Sequence, residues 1–144
     1  MANEDVFYLG IKILIINSKG KILLLHRNPA KANERKTWDI PGGRKQRGED
    51  IAVTLRRELF EETGLQIGDK DVQFVGANLS TSRIQEGEIE AGLILFVYQC
   101  RWEGIPEVCL SREHSEFWWA NPEEAREALQ FHISPSFIPM EEVG

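Results

Sequence analysis

Apolar residues in the first thirty positions come in two dense runs, Val6 to Ile16 and Lys21 to His26, separated by the polar tetrapeptide Asn17-Ser-Lys-Gly20. Runs of this length, rich in Ile and Leu, predict two strands, and the Asn and Gly between them supply a hairpin turn. The pattern then breaks. Arg27 to Thr37 is polar and basic and predicts a loop, in which Lys31 to Lys36 reads as a solvated turn rather than a screen for substrate charge. Trp38-Asp-Ile-Pro41-Gly42-Gly43 predicts a short strand end and a tight turn. From Asp50 the apolar spacing lengthens to four: Ile51, Leu55 and Leu59 form the buried stripe of a helix that stops at Gly64, where no Cβ opposes a left-handed cap. Val72 to Leu79, Gly92 to Arg101 and Phe117 to Ala120 predict further strands, with Ser80 to Ala91 as a loop. Asn121-Pro122-Glu-Glu is a helix start with a side-chain cap, proline in the first turn and acids near the positive end of the dipole. That helix should reach about Gln130, and the tail with Pro135 and Pro139 reads as extended.

These elements make a mixed α/β chain, and composition narrows what it can be. With 144 residues, 42% of them hydrophobic, there is enough apolar side chain for a real core, and one domain spanning 1–144 is expected. No signal pattern or long apolar span is present, so the expectation is a soluble, cytoplasmic protein without a membrane partner. Cys100 and Cys109 read as reduced and structural, since neither has the CxxC spacing of a zinc site. A net charge of −6 argues against a nucleic-acid polymer as the main partner, because backbone phosphate is bound by clustered Lys and Arg.

The chemistry concentrates in the helix after the glycine turn. Glu58, Glu61 and Glu62 lie at i, i+3 and i+4 and share one face, where each close like-charge pair costs a few tenths of a kcal/mol, about 0.2–0.5. A hard dication compensates such a face well, because Mg²⁺ or Mn²⁺ takes oxygen ligands and keeps positions for water and phosphate. A solvated face laced with pairs such as Arg57 with Glu61 explains the helix alone at least as well. The glycine turn that feeds a carboxylate-rich helix shifts the balance toward a metal and phosphate site. Glu49, nine positions before Glu58, can join that site only from the loop or first turn.

Gly43, Glu49, Arg57-Glu58-Leu59, Glu61-Glu62, Gly64 and Leu65 resemble the Nudix box at every specified position, 23 of 144 residues, and the Pro41-Gly42-Gly43 entry is also similar to that family. The resemblance implies a Nudix fold, a mixed β-sheet sandwiched between α-helices. It implies a hydrolase that cleaves a nucleoside diphosphate linked to another moiety, with Mg²⁺ or Mn²⁺ as cofactor. By the same resemblance Glu58, Glu61 and Glu62 would bind metal, and Gly43 would offer a backbone carbonyl. Glu58 would be a ligand or the general base, and Arg57 would orient the glutamates. Glu49 belongs to the box without an assigned role. Some members take their base from a later loop, and here Glu113 is preferred to Glu116 because it precedes the strand near Phe117, with His114 as a further candidate.

Substrate choice is less legible. The Ser80 to Arg83 region carries neither the proline associated with ADP-ribose hydrolysis nor the tyrosine associated with dinucleoside polyphosphates. Arg101-Trp102-Glu103-Gly104 resembles the MutT-like branch, which takes nucleoside triphosphates to monophosphate and pyrophosphate. The expected partner is therefore a small nucleotide, (d)NTP or oxidised dNTP. An ADP-ribose, NDP-sugar or dinucleoside polyphosphate substrate is the alternative within the family, and a non-catalytic nucleotide sensor is the alternative outside catalysis. Arg27 is a candidate phosphate contact, a homodimer is compatible with the resemblance, and Trp38, Trp118 and Trp119 are expected mainly to pack rather than stack on a base.

Overall fold

The computed structural model describes residues 3–28, 37–68, 71–130 and 132–140. The Lys31 to Lys36 turn lies outside them. Among the described residues eight strands and two α-helices follow in order: β1 (Phe7–Ile16), β2 (Ile22–Arg27), β3 (Trp38–Asp39), β4 (Gly42–Arg44), α1 (Ile51–Thr63), β5 (Val72–Leu79), β6 (Ile84–Glu86), β7 (Ile89–Arg101), β8 (His114–Ala120) and α2 (Pro122–Leu129). Among the described residues no helix is long and apolar enough to cross a membrane.

Strand alternation builds the three layers. Ile11, Ile13 and Ile15 of β1, with Leu23 and Leu25 of β2, pack under Leu55 and Leu59 of α1. Leu14 and Ile16, with Ile22 and Leu24, face the other way and pack with Ala125 and Leu129 of α2. The run is apolar at consecutive positions because both faces of the sheet are covered. Each fully buried Ile or Leu there contributes about 1.5–3 kcal/mol.

β1 runs parallel to β7 over its whole length, from Phe7↔Gly92 to Ile16↔Arg101, and β7 runs antiparallel to β5. The expected hairpin forms, but β1 and β2 pair only at Ile16↔Ile22. Its turn is closed by the Asn17 side chain, which accepts from the backbone N–H of Lys19 and Lys21 at 2.9 and 3.1 Å. Beyond the turn the strands diverge like a fork. β3 pairs with β2 and β4 with β1, so Trp38 to Arg44 occupies the gap, and β8 takes the other edge of β2.

Three local expectations need correction. Ser80 to Ala91 is not all loop: β6 and the start of β7 form a hairpin, Glu86↔Ile89, turned at Gly87 with φ +60°. Its strand signal was obscured by glutamates that face water on an exposed ribbon. β8 begins at His114 rather than Phe117, because the polar His-Ser-Glu segment pairs with Arg27 and His26. The tail contains a 3₁₀ turn, Pro135–Phe137, entered through proline's fixed φ. The helix limits follow the sequence closely. Asp50 caps α1 by accepting from Val53 N–H, Gly64 ends it at φ +74°, and Asn121 and Glu124 form a reciprocal capping box on α2.

The tryptophans pack as expected: Trp38 and Trp118 lie against the α2-side core with ring centroids 5.5 Å apart, and Trp119 lies against the α1-side core. Both cysteines are free, Cys100 buried and Cys109 exposed.

Gly42 is the position on which the fork depends. Its φ is +148°, and a Cβ there would collide with the Ile11 carbonyl oxygen of β1. Gly42→Ala should therefore unseat β4 and lower stability by about 3 kcal/mol or more. Gly87→Ala, where nothing lies within 4 Å, should cost only about 1–2 kcal/mol. Urea denaturation of the two variants checks the contrast.

Candidate active site

A cleft of about 860 Å³ opens where β4 and the carboxylate face of α1 meet the ends of β1, β2 and β7. Its lining includes Gly43, Arg57, Glu58, Glu61 and Glu62 from the turn and helix, Arg27 from β2, and Glu113 and His114 at the start of β8. The structure thus brings these candidates together in one lining; Glu49 stands behind it and reaches the site through Arg57, and Glu116, the alternative loop base, is not part of it.

That arginine is the electrostatic hub. Its Nε donates to Glu49 Oε2 at 2.7 Å and its Nη2 to Glu49 Oε1 at 3.0 Å, a bidentate pair. Nη1 donates to Glu58 Oε1 at 2.9 Å and, more weakly, to Glu61 Oε2 at 3.4 Å. Charge-assisted bonds of this kind contribute about 1.5–3 kcal/mol each when partly buried, which outweighs the few tenths lost to repulsion between glutamates. Arg57 is therefore a cation that compensates this face of the helix. The Arg57 hydrogen bonds hold the Glu49 carboxyl down to about 2. Glu49 sits in the loop just before the Asp50 cap, which gives a nine-residue separation its shared site.

Glu62 is different. It is buried, its Oε1 accepts from the Gly42 N–H at 2.7 Å, and its Oε2 lies 3.4 Å from His114 Nε2. Burial pushes its carboxyl up to about 7, against the opposing pull of the Gly42 N–H and the Lys12 charge. Burial likewise pulls His114 below the usual histidine value, so both groups are biased toward their neutral forms near neutral pH. On the neighbouring turn a Cβ at Gly43 would meet the Glu58 carboxylate and force it out of its present position.

The same observations test whether a divalent ion fits. The donors around Gly43 are all oxygen, the missing Cβ leaves room for the Glu58 carboxylate against the turn, and Glu61 is exposed and tethered only at 3.4 Å. Among the described residues no three His, Cys, Asp or Glu side chains are gathered into a ready-made cage. That suits a hard ion which keeps several waters and takes one or two carboxylates plus substrate phosphate.

Lys12 and its partner Asp39, both in the cleft lining, are absent from the candidates read in the sequence. Lys12 of β1 lines the cleft, and its Nζ donates to Asp39 Oδ2 at 2.9 Å and to the Ile40 carbonyl at 3.4 Å. Burial works against the Lys12 charge, but the Asp39 and Glu62 carboxylates outweigh it and hold its pKa above the ordinary lysine value. The available signal was a lone lysine inside the apolar run Leu9 to Ile16. Of the two loop glutamates, Glu113 lines the cleft, whereas Glu116 faces His26 across β8 and β2 at 3.8 Å. Arg101 to Gly104 lies outside the cleft lining: Trp102 packs against the α1-side core and the Gly104 carbonyl accepts from Ser18 N–H at 3.0 Å.

Glu62 gives the metal-free protein a pH-dependent stability of definite sign. The unfolded chain releases this proton near 4.5 and the folded chain near 7, so the contribution is complete below pH 4.5 and is lost as pH rises to about 7. The loss attributable to this group is at most about 3 kcal/mol. Urea midpoints in EDTA at pH 5.5 and 8 should therefore fall with pH in the wild type and much less in Glu62→Gln.

Comparison with known proteins agrees with the geometry. The family model described as NUDIX domain matches residues 7–139. The chain is similar to the CTP pyrophosphohydrolase of Escherichia coli (strain K12), 30% identical over 126 residues, which are 88% of this chain and 83% of that protein. Among solved structures it resembles the MutT protein from Methanosarcina mazei Go1, with a TM-score of 0.66 and 28% identity over 88% of this chain and 85% of that one. Its fold is also that of the E. coli dihydroneopterin triphosphate pyrophosphohydrolase, with a TM-score of 0.70 at 14% identity, covering 92% and 94% of the two chains. With a complete box at the mouth of a cleft and a family match over nearly all its residues, the chain belongs to the Nudix family and is a hydrolase of nucleoside diphosphate-linked substrates.

Proposed function

We propose that this Nudix hydrolase converts nucleoside triphosphates, deoxy or oxidised forms included, to the monophosphate and pyrophosphate. The observation that carries the reading is the cleft itself, where the box carboxylates face Arg27 and Lys12 across a space lined by both charge signs. The similarity to a protein named CTP pyrophosphohydrolase supports the triphosphate class.

Glu58, Glu61 and Glu62, with the Gly43 carbonyl, are the groups that would hold Mg²⁺ or Mn²⁺. When bound, such an ion neutralises the bridging phosphates and acidifies water. The remaining work falls to the chain. Arg57 fixes the Glu58 and Glu61 side chains through the bonds described above. Arg27, exposed at the end of β2 beside the cleft, supplies positive charge to the phosphate oxygens. Glu113, exposed in the turn before β8, takes the proton of the attacking water as its oxygen bonds to phosphorus and the anhydride P–O bond breaks toward the leaving group.

Phosphate and pyrophosphate release from a panel of (d)NTPs, oxidised dNTPs, ADP-ribose, NDP-sugars and dinucleoside polyphosphates tests the substrate class. Pyrophosphate from a triphosphate, abolished by EDTA, is the expected result. Preferential cleavage of ADP-ribose or an NDP-sugar would replace the triphosphate reading, and binding without turnover would point to a sensor. Glu58→Gln and Glu113→Gln should each lower kcat by about 10²–10⁴-fold. Glu127→Gln, on the exposed face of α2, should leave it unchanged.

A further inference from the structure

The floor of the cleft is laid by β1 and β7, with Gly10, Lys12, Leu93 and Leu95 at its surface. Lys12 is the charged side chain in that set. It occupies the β1 face on which Leu14 and Ile16 are fully buried, and its own side chain is only 16% exposed. An aliphatic residue would satisfy this position as it does at 14 and 16, and taking an ammonium this far out of water costs several kcal/mol unless partners repay it.

The protein partners account for only part of its bonding capacity. A lysine ammonium carries three donors. Among the described hydrogen bonds two acceptors are Asp39 Oδ2 and the Ile40 carbonyl, which leaves one N–H for the cleft. Asp39 is itself 35% exposed, and its ion pair with Lys12 ties the turn while occupying only part of the ammonium. The carboxylates that would draw in a metal project from α1, whereas Lys12 rises from the strand paired with the glycine turn, Lys12↔Gly42. An oxyanion lying between them would meet the metal on one side and Lys12 on the other. Phosphate oxygens are the acceptors that suit such a donor.

We propose that Lys12 is a phosphate-binding residue that grips the pyrophosphate unit of the substrate from the floor of the cleft. The assignment rests on the reading that a phosphoanhydride occupies this cleft, but not on which nucleoside or sugar is attached.

Isothermal titration of inorganic pyrophosphate with Mg²⁺ into the wild type, Lys12→Met and Lys12→Arg tests it, with urea denaturation to show that each variant is folded. Loss of one charge-assisted bond should weaken pyrophosphate about 10–100-fold in Lys12→Met, and Lys12→Arg should recover most of it. A folded Lys12→Met that binds pyrophosphate as the wild type does would overturn the assignment and leave Lys12 as a clamp on the β3–β4 turn. A loss in Lys12→Met that Lys12→Arg does not repair would also overturn it. Should Lys12→Met fail to fold, ¹⁵N-lysine NMR of the wild type decides: the Lys12 Nζ resonance must move on addition of pyrophosphate, and a stationary signal rejects the contact. If no triphosphate is hydrolysed while pyrophosphate binding still depends on Lys12, the triphosphate reading falls and this one stands.

Discussion

The site depends on one steric fact, the close passage of the Gly42 backbone over Ile11. Because no side chain intervenes, β4 can pair with β1 inside the fork opened by the diverging hairpin, and the Gly42 N–H is presented to Glu62. Lys12 ties the same segment from below through Asp39 and Ile40. The turn is therefore fixed by backbone pairing on one side and an ion pair on the other. α1, which follows directly, inherits its position and delivers three glutamates to the cleft. Preorganisation of this kind is what a phosphoryl-transfer site needs, since positioning and charge stabilisation carry most of the catalysis.

Around that frame the three box glutamates sit in unlike environments despite sharing one helix face. Glu58 is held by Arg57 at 2.9 Å, Glu61 is exposed and held loosely, and Glu62 is buried with a backbone donor and an imidazole as neighbours. Burial decides the difference. Hydrogen bonds from the arginine lower the Glu49 carboxyl, while desolvation pushes Glu62 toward neutrality. The helix is thereby stable before loading, and the glutamate most costly to ionise is the one that gains most from a nearby positive charge.

Much of this was legible in the sequence because it is local. Helix caps, the glycine stop at Gly64, the alternation that buries β1 and β2, and the spacing of the box all depend on neighbours within a few residues. What was not legible depends on tertiary contact. The partial unzipping of the hairpin arises from competition by β4, which no local signal at Asn17 to Gly20 reports. The β6–β7 hairpin was hidden by exposed glutamates that obscure a strand pattern. Lys12 was visible as a break in an apolar run, but its pairing with Asp39 needed the fold. Loop placement alone separates Glu113 from Glu116 in the sequence, and only the fold shows that Glu113 lines the cleft while Glu116 lies near His26.

The alternation in β1 also constrains how this chain can vary. Ile11, Ile13 and Ile15 belong to the α1 core, and Lys12, Leu14 and Ile16 belong to the opposite side, while all ten positions are paired with β7. Substitutions among aliphatics within one face are mild, but inserting or deleting a single residue would exchange the two faces at every position beyond it. The ammonium would then be driven under α1 and an isoleucine would take its place in the cleft. Length changes among relatives should accordingly collect in the turns, and the distance from Lys12 to the Asn17 turn should be kept even where the residues between them are not.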